Sequence, residues 1–315
     1  MPELPEVETV RRTLYDKVVG RRIERVEILT PRQVYHPDPR TFTAELEGAR
    51  FTAIDRRGKW LLFRLGPVTL VGHLRMSGHL YVCDPTRPRE KHLHLIFHLD
   101  NGTELRYEDQ RKFGGFHLLG PRGEGMPKGL AALGPEPLSD QFSPAVLAAG
   151  LSGRRTPIKA ALLNQAIVAG LGNIYVDEAL FCARIHPERQ AASLTGGEVE
   201  RLYGCIRSVL ERAVEKRGTT FSLYFDGEGA EGDMYDELQV FDRTGQPCPA
   251  CGTPIIKLAV AQRGTHICPA CQPAPEGARL QTRRARPGRR GESVAVAAEP
   301  PRSYPTRTSR KKGDV

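Results

Sequence analysis

Four cysteines near the carboxyl end of the chain constrain its fold more than any other feature of the sequence. Cys248 and Cys251 form one Cys-x2-Cys pair, and Cys268 and Cys271 form a second pair after sixteen intervening residues. Two such pairs at this separation are typical of a tetrahedral site for one structural zinc ion. The alternatives are two disulfides or a chance arrangement, which a cytosolic location and the regular spacing disfavour.

The segment between the two cysteine pairs predicts a short β-hairpin, with two strands and a tight turn at Arg263-Gly264. So small a hairpin is not stable alone, whereas zinc contributes ~10–16 kcal/mol to folding in comparable peptides. We therefore expect a rigid finger with Arg263 at its tip, suited to a phosphate or to a protein partner. Because four thiolates leave no open coordination position, this zinc would be structural rather than catalytic.

The rest of the chain changes from strands to helices, which predicts an α+β protein. Residues 5–17 have apolar side chains at helical spacing. Short apolar or alternating runs between residues 21 and 119 predict a β-sandwich, with a hairpin at Asn101-Gly102. Residues 141–217 are rich in Ala and Leu and have helical periodicity.

These changes in character predict four parts. They are a β-sandwich domain with an N-terminal helix over 1–135, a helical domain over 136–237, a zinc finger over 238–272 and a disordered basic tail over 273–315. Within the helical domain, residues 218–237 are Gly-rich, acidic and without periodicity, which indicates a mobile loop.

The formal net charge of +9 lies mostly in the tail, since residues 272–315 hold eleven Lys and Arg against four Asp and Glu. A basic tail attracts polyanions, so we expect either non-specific attraction of nucleic acid or a solubilising role. No apolar run approaches the roughly 20 residues that span a membrane. The N-terminus has neither the basic nor the apolar stretch of a signal peptide, so we expect a cytoplasmic protein without membrane contact.

Three cysteines lie outside the paired pattern, and we expect them to be reduced, partly buried thiols. They are Cys83, Cys182 and Cys205. Three histidines fall on one face of a predicted strand, namely His92, His94 and His98. Since no carboxylate or cysteine accompanies them at ligand spacing, we favour a polar strand face over a second metal site.

The start of the chain indicates a reactive amine. Met1 precedes a small residue, so its removal would leave Pro2 with a free secondary amine close to Glu3 and Glu6. Acidic residues at a helix start also fit the helix dipole alone. A secondary amine that attacks an aldehyde-like sugar carbon gives an iminium ion, which acidifies the adjacent C–H and allows β-elimination of a 3′ phosphate. The positive helix end would keep more of the amine neutral, and a nearby carboxylic acid can protonate the departing group.

The sequence resembles the bacterial formamidopyrimidine-DNA glycosylase family over residues 1–272. The likeness consists of motifs in a fixed order, followed by the zinc ribbon: MPELPEVETVRR at 1–12, RGKWLL at 57–62, HLRMSG at 73–78, DQRKFG at 109–114, LGPEPL at 133–138 and GLGNIY at 170–175. Each motif alone is modest, but the combination is highly specific.

The resemblance implies a bifunctional DNA glycosylase and AP lyase of base excision repair that excises oxidised purines, such as 8-oxoguanine and formamidopyrimidines. Pro2 would be the Schiff-base nucleophile, Glu3 the proton donor for base excision, and Glu6 a support for the amine. Lys59 would donate the proton for β-elimination and also contact a phosphate, and Arg263 would act in δ-elimination.

The resemblance also implies that a monomer holds double-stranded damaged DNA between the catalytic sandwich and a helical domain with a helix–two-turns–helix element. The amides at the helix start at Asn173 would grip phosphates, and residues 218–237 would recognise the lesion. Because the damaged nucleotide must leave the duplex, Met76, Arg111 and Phe113 would fill the gap. The other positions that match or lie near DNA contacts are His73, His92, Arg154 and Lys159.

Two other functions stay open at this point. One is a related glycosylase of oxidised pyrimidines with the same nucleophile, although the PELPE start and the Arg111-x-Phe113 filler favour the purine enzyme. The other is a non-enzymatic DNA-binding protein with a zinc ribbon, in which Pro2 is incidental. The chain departs from the family's usual pattern at Lys112 in place of an arginine and at Ser222 in the acidic loop.

Overall fold

The computed structural model describes residues 2–219 and 232–275. Met1, most of the predicted mobile loop and nearly all of the predicted disordered tail lie outside the described residues. No helix in the described part of the chain is long and apolar enough to cross a membrane.

The N-terminal part contains one long helix, one short helix and two sheets. Helix α1 (Leu4–Val18) confirms the helix predicted at the start of the chain. The elements that follow are β1 (Ile23–Ile28), β2 (Val34–His36), α2 (Pro39–Leu46), β3 (Ala53–Arg57), β4 (Trp60–Leu65), β5 (Val68–His73), β6 (Gly78–Cys83), β7 (Leu93–Leu99), β8 (Glu104–Asp109) and β9 (Gly115–Leu119). The sheets have the orders β1-β7-β8-β6 and β2-β9-β5-β4-β3.

Side chains of both sheets meet in one apolar core, as a sandwich requires. Phe97 and Tyr107 of the first sheet lie with ring centroids 6.0 and 5.0 Å from that of Phe116 in the second. The predicted hairpin at Asn101-Gly102 joins antiparallel β7 and β8. The short apolar and alternating runs of the sequence therefore predicted the sandwich and its hairpin.

The second part is helical and shares α1 with the first. After the short α3 (Lys128–Ala131), whose Leu130 packs on Trp60 and Leu119 of the sandwich, its helices are α4 (Pro144–Leu151), α5 (Ile158–Leu163), α6 (Asn173–Cys182) and α7 (Gly196–Glu215). Leu4 at the start of α1 belongs to the helical core, whereas Val7, Val10 and Leu14 belong to the core of the sandwich. Helix α1 thus fixes the two parts against each other through burial on two sides.

The finger contains the predicted hairpin, β10 (Ile256–Val260) and β11 (Arg263–Ile267), but its turn is not where the sequence placed it. The turn residues are Ala261 and Gln262, both with positive φ, as in a type I′ turn. Arg263 pairs with Val260 as the first residue of β11. The prediction at Arg263-Gly264 relied on the glycine, whereas two non-glycine residues adopt the left-handed conformation here.

One expectation about the remaining cysteines is wrong. Cys182 at the end of α6 and Cys205 in α7 form a disulfide, with Cα atoms 5.7 Å apart. Cys83 is a free, half-buried thiol. The two partners are separated by 23 residues, and the packing of α6 against α7 brings them together. No local pattern in the sequence reveals such a pairing.

Candidate active site

A cleft of about 620 Å³ lies where the sandwich, the helical part and the finger meet. The sandwich lines it with Lys59, His73 and Arg75, the helical part with Asn173, and the finger with Arg263. No acidic side chain is among the described residues that line it. Three positive side chains in one concave surface attract a polyanion such as a nucleic-acid backbone.

Glu3 places the start of the chain against one wall of this cleft. Pro2 and Glu3 are both buried, and Glu3 Oε2 accepts a hydrogen bond of 2.7 Å from the amide of Gly172, which lines the cleft. Glu3 Oε1 accepts one of 3.0 Å from the amide of Ile174. A Cβ at position 172 would lie 2.3 Å from Glu3 Cδ, so only glycine permits this approach.

The helix start that the resemblance assigned to phosphate is therefore already engaged. The amides of Gly172 and Ile174 donate to the carboxyl group of Glu3, which lies at the positive end of α6. Burial raises the pKa of Glu3, and the charge of Lys59 opposes that shift. A carboxyl group with a raised pKa keeps its proton nearer to neutrality, as a proton donor requires.

Glu6, in the first turn of α1, accepts hydrogen bonds from three separate segments near Glu3. Its Oε2 accepts a hydrogen bond of 2.7 Å from the Glu3 amide, and its Oε1 accepts bonds from the Tyr175 hydroxyl and from the Thr219 amide. Thr219 is the last residue described before the loop. Glu6 thus links α1, α6 and the base of the loop through one buried carboxylate.

Lys59 lies at the turn between β3 and β4. The carboxylate of Glu136 holds this turn through the Gly58 amide and two neighbouring arginines. Burial lowers the pKa of Lys59, while the nearby charges of Glu3 and Glu6 oppose that shift. A lysine with a lowered pKa releases its proton more readily, which suits proton transfer to a leaving group.

Arg75 lies within the HLRMSG motif but was not among the predicted site residues. Arg75 is exposed at the cleft with a positive φ of 54°, and its amide donates a hydrogen bond to His73 Nδ1. Burial and the charges of Arg75 and Lys59 lower the pKa of His73 to about 3. His73 is therefore neutral at physiological pH and can contact DNA only as a hydrogen-bonding group. The motif was the available signal for Arg75, but nothing in it distinguishes a cleft residue from its buried neighbours.

Lys159 does not occupy the position of a DNA contact. Its side chain is completely buried, and its ammonium donates hydrogen bonds to Asp177 Oδ1, to the Gly264 carbonyl and to Thr265 Oγ1, at 2.7, 3.0 and 2.8 Å. All three donors are thus used within the chain. Because Gly264 and Thr265 directly follow Arg263, Lys159 anchors the fingertip to the helical part instead of binding phosphate.

Asn173 shares this anchoring role. Its Nδ2 donates a hydrogen bond of 3.0 Å to the Gly264 carbonyl, so two side chains of the helical part hold the same peptide group of the finger. Asn173 also lines the cleft beside Arg263.

The three predicted gap-filling residues lie in two exposed loops. Met76, between β5 and β6, is 40% exposed, and Phe113, between β8 and β9, is 52% exposed. The guanidinium of Arg111 lies 4.8 Å from the centre of the Phe113 ring. Their exposure fits residues that enter DNA rather than residues of a core.

His92 and Arg154 are not among the residues that line the cleft. His92 is half-buried just before β7 and is not grouped with His94 and His98 in any metal-binding cluster of the described residues. Arg154 is exposed, and its Nε donates a hydrogen bond to the Gly150 carbonyl. Both remain predicted DNA contacts.

The paired cysteines have the geometry of a metal site. The sulfur atoms of Cys248, Cys251, Cys268 and Cys271 all lie within 4.8 Å of one another. Sulfur–sulfur separations of 3.9, 3.4 and 3.5 Å are close to the edge of about 3.8 Å in a tetrahedron with Zn–S bonds of about 2.3 Å. The donor set and its shape fit one structural zinc ion.

Three family models match consecutive parts of the chain. The formamidopyrimidine-DNA glycosylase N-terminal domain matches residues 1–116, and the formamidopyrimidine-DNA glycosylase H2TH domain matches residues 133–224. A zinc finger found in FPG and IleRS matches residues 245–274.

Similar proteins match over nearly the whole described chain. A protein of Symbiobacterium thermophilum named formamidopyrimidine-DNA glycosylase is 78% identical over 304 residues, which cover 96% of this chain and 100% of that protein. The structure of MutM in complex with DNA containing carbocyclic 8-oxo-G has a TM-score of 0.81 at 41% identity and covers 87% of this chain and 100% of that one. The Lactococcus lactis Fpg bound to DNA with an abasic site has a TM-score of 0.80 at 40% identity, with coverage of 86% and 100%.

Removal of zinc tests the finger. We expect one zinc ion per chain, and we expect a chelator to unfold the finger and weaken DNA binding, since the hairpin cannot hold Arg263 alone. A metal-sensitive dye and a fluorescence-anisotropy titration measure the two effects. Cys268→Ser should lose zinc, whereas Cys83→Ser should keep it because Cys83 lies outside the cluster. Full DNA affinity in the zinc-free protein would contradict this role of the finger.

The buried position of Lys159 gives a second prediction. Lys159→Met leaves the Asp177 carboxylate buried without its ion-pair partner, so the free energy of unfolding should fall by about 3–5 kcal/mol. Chemical denaturation measures the change. Arg154→Met is the matched control and should cost under about 1 kcal/mol, because Arg154 is exposed. Equal effects of the two variants would mean that Lys159 is not an anchor.

Proposed function

The chain belongs to the formamidopyrimidine-DNA glycosylase family, and we propose that it excises oxidised purines from DNA with Pro2 as its nucleophile. It is a DNA glycosylase with AP lyase activity that acts in base excision repair. One observation carries the assignment of residues. Glu3, adjacent to Pro2, bonds the wall of the cleft that Lys59 and Arg263 also line.

The first step that we propose is displacement of the damaged base. Removal of Met1 leaves Pro2 with a secondary amine, whose neutral form attacks C1′ of an extruded nucleotide. Glu3, whose pKa burial raises, donates a proton to the departing base or the sugar ring oxygen. The bond from C1′ to the base breaks as the bond to the Pro2 nitrogen forms, and loss of the proton on that nitrogen leaves an aminal. Protonation of the ring oxygen then breaks the C1′–O4′ bond, and the nitrogen lone pair forms the iminium ion of the opened sugar. Glu6 holds the Glu3 amide and thereby supports the position of the amine.

The second step is strand cleavage. The iminium ion acidifies the C2′–H bond, and loss of that proton expels the 3′ phosphate by β-elimination. Lys59 donates a proton to the leaving phosphate oxygen, which its lowered pKa favours. Arg263 stabilises the remaining phosphate during δ-elimination.

We propose that each of the predicted domains contributes to DNA binding. We propose a catalytic domain over 1–135, a DNA-binding helical domain over 136–237, with a lesion-recognition loop at 218–237, and the zinc finger over 238–272. The positive cleft attracts the backbone of double-stranded damaged DNA, and Met76, Arg111 and Phe113 fill the gap. We also propose that the protein works in the bacterial cytoplasm, on the nucleoid.

A second substrate class has one specific observation in its favour. The Lactococcus lactis Fpg, which is 40% identical to this chain, has been solved in complex with DNA containing an oxidised pyrimidine. The cleft of this protein could therefore also accept such lesions, and a panel of duplexes with single defined lesions ranks the two classes.

Substitution of Pro2 tests the nucleophile. Borohydride should trap a covalent adduct between the wild-type protein and abasic DNA, and mass spectrometry should map the adduct to Pro2. Pro2→Gly should lose most base excision because a primary amine replaces the ring amine.

Pro5→Ala, three residues further along α1, is the control and should still form the adduct. The assignment fails if the active protein retains Met1, or if Pro2→Gly excises 8-oxoguanine at the wild-type rate. Binding of abasic DNA without any trapped adduct would instead favour the non-enzymatic alternative.

The pKa of Lys59 predicts a pH effect on cleavage. As a proton donor, Lys59 must be protonated, so β-elimination should slow as pH rises through its lowered pKa. In Lys59→Arg the side chain keeps its charge but does not donate a proton in this range. The variant should form the Schiff base yet eliminate about 10²–10⁴-fold more slowly, without that alkaline decline.

Single-turnover cleavage of abasic duplexes across a pH series measures both effects, with borohydride trapping as the check on Schiff-base formation. Wild-type elimination by Lys59→Arg would show that another group donates the proton.

A further inference from the structure

The two loops that carry the gap-filling residues are joined beneath their exposed side chains. Met76 lies between β5 and β6, and Arg111 and Phe113 lie between β8 and β9. Gly78 and Asp109, at the adjoining ends of β6 and β8, are directly paired. The exposed side chains of both loops therefore depend on the same strand ends for their position.

Asp109 is the buried group at this junction, with 0% of its surface exposed. Its Oδ1 accepts hydrogen bonds from the Ser77 hydroxyl and, at 3.1 Å, from the Arg111 amide. Its Oδ2 accepts bonds of 3.2 Å from the Tyr107 hydroxyl and 2.8 Å from the Gly114 amide. One carboxylate thus holds the residue after Met76, the backbone of Arg111 and the residue after Phe113.

The hydrogen-bond pattern favours a carboxylate over an amide at this position. Each oxygen of Asp109 faces one backbone N–H, that of Arg111 or that of Gly114, and a backbone N–H can only donate. In asparagine one of the two atoms is an NH₂ group, which would face a backbone donor in either orientation. With the NH₂ group toward Gly114, that buried amide would lose its acceptor, and with the NH₂ group toward Arg111, the Arg111 amide would keep only its 3.0 Å bond to Ser77 Oγ.

Tyr35 braces the second loop from its other side. Its hydroxyl lies 3.1 Å from the Phe113 carbonyl and 2.9 Å from the Gly114 carbonyl, to which it donates. Gly114 is confined between these groups, since a Cβ there would lie 2.2 Å from the Tyr107 hydroxyl and 2.5 Å from the His73 carbonyl. The peptide group between Phe113 and Gly114 is therefore held at both of its polar atoms. Its N–H donates to Asp109, and its carbonyl oxygen lies within hydrogen-bond distance of the Tyr35 hydroxyl.

We propose that Asp109 and Tyr35 are positioning residues that hold Met76, Arg111 and Phe113 ready to enter the duplex. This inference rests on the proposed function, because it assumes that these three side chains replace an extruded base. Neither residue lines the cleft that contains Lys59 and Arg263, so both act through the loops and not on the reacting atoms. Preorganised loops make extrusion less costly because their order need not be acquired during binding.

The test compares two substrates that differ in whether a gap must be filled. Asp109→Asn should slow excision of 8-oxoguanine from a duplex by about 10- to 100-fold. It should leave borohydride trapping on single-stranded abasic DNA at the wild-type rate, since that substrate has no base stack to fill. A 2-aminopurine placed beside the lesion should report reduced extrusion in the same variant.

Tyr35→Phe supplies a second test that keeps the fold, since it removes only one exposed hydroxyl. It should shift the same duplex reaction in the same direction by a smaller factor, with an unchanged melting temperature. Tyr15→Phe, which alters a similarly exposed tyrosine on α1, is the matched control and should change neither substrate.

The possible results separate the two proposals. Wild-type duplex excision by both Asp109→Asn and Tyr35→Phe would overturn the positioning role. An equal loss on duplex and single-stranded substrates would also overturn it, because a general structural defect affects both. Failure of the wild-type protein to form any adduct with single-stranded abasic DNA would instead refute the nucleophile assignment.

Discussion

The bond between the Glu3 carboxylate and the start of α6 is the constraint on which the rest of the site depends. A carboxylate at a helix N-terminus is stabilised by the helix dipole and by direct amide donors. Here the carboxylate comes from the third residue of the chain and the helix begins 170 residues later, at Asn173. The interaction therefore does more than cap α6, since it brings the chain start to the cleft.

That placement also determines how the charged groups of the cleft affect one another. Glu3 is buried, so its pKa rises, and Lys59 is buried, so its pKa falls. Each group moderates the shift of the other through opposite charge, because the turn held by Glu136 brings Lys59 close to Glu3. The result is a carboxyl group that keeps its proton longer and an ammonium that releases it sooner, which is the combination that two proton donations require.

The features that the sequence predicted are those encoded by neighbours along the chain. The spacing of Cys248 and Cys251 with Cys268 and Cys271 was enough to predict a zinc site, and the Asn101-Gly102 turn signal after an apolar run was enough to predict a hairpin. The burial of Lys159 could not be predicted, because it follows a basic and polar segment of the sequence. Nothing in that segment indicates that Asp177 and Gly264 will surround the side chain. The Cys182–Cys205 disulfide and the hydrogen bonds from the Gly172 and Ile174 amides to Glu3 could not be predicted for the same reason, since both depend on packing between distant segments.

The anchoring of Arg263 shows why such distant contacts matter for the chemistry. Zinc shapes the base of the finger, but its ligands lie beyond the ends of the hairpin, and a two-stranded hairpin alone would leave its tip free to move. Lys159 and Asn173 both bond the Gly264 carbonyl, and Asp177 also accepts the His266 amide, so the helical part holds the tip directly. A group that stabilises a departing phosphate must be in place before charge develops, because reorganisation during the reaction would cost part of the stabilisation. The burial of a Lys–Asp pair, which is expensive in itself, is therefore consistent with a fingertip selected for fixed position rather than for stability.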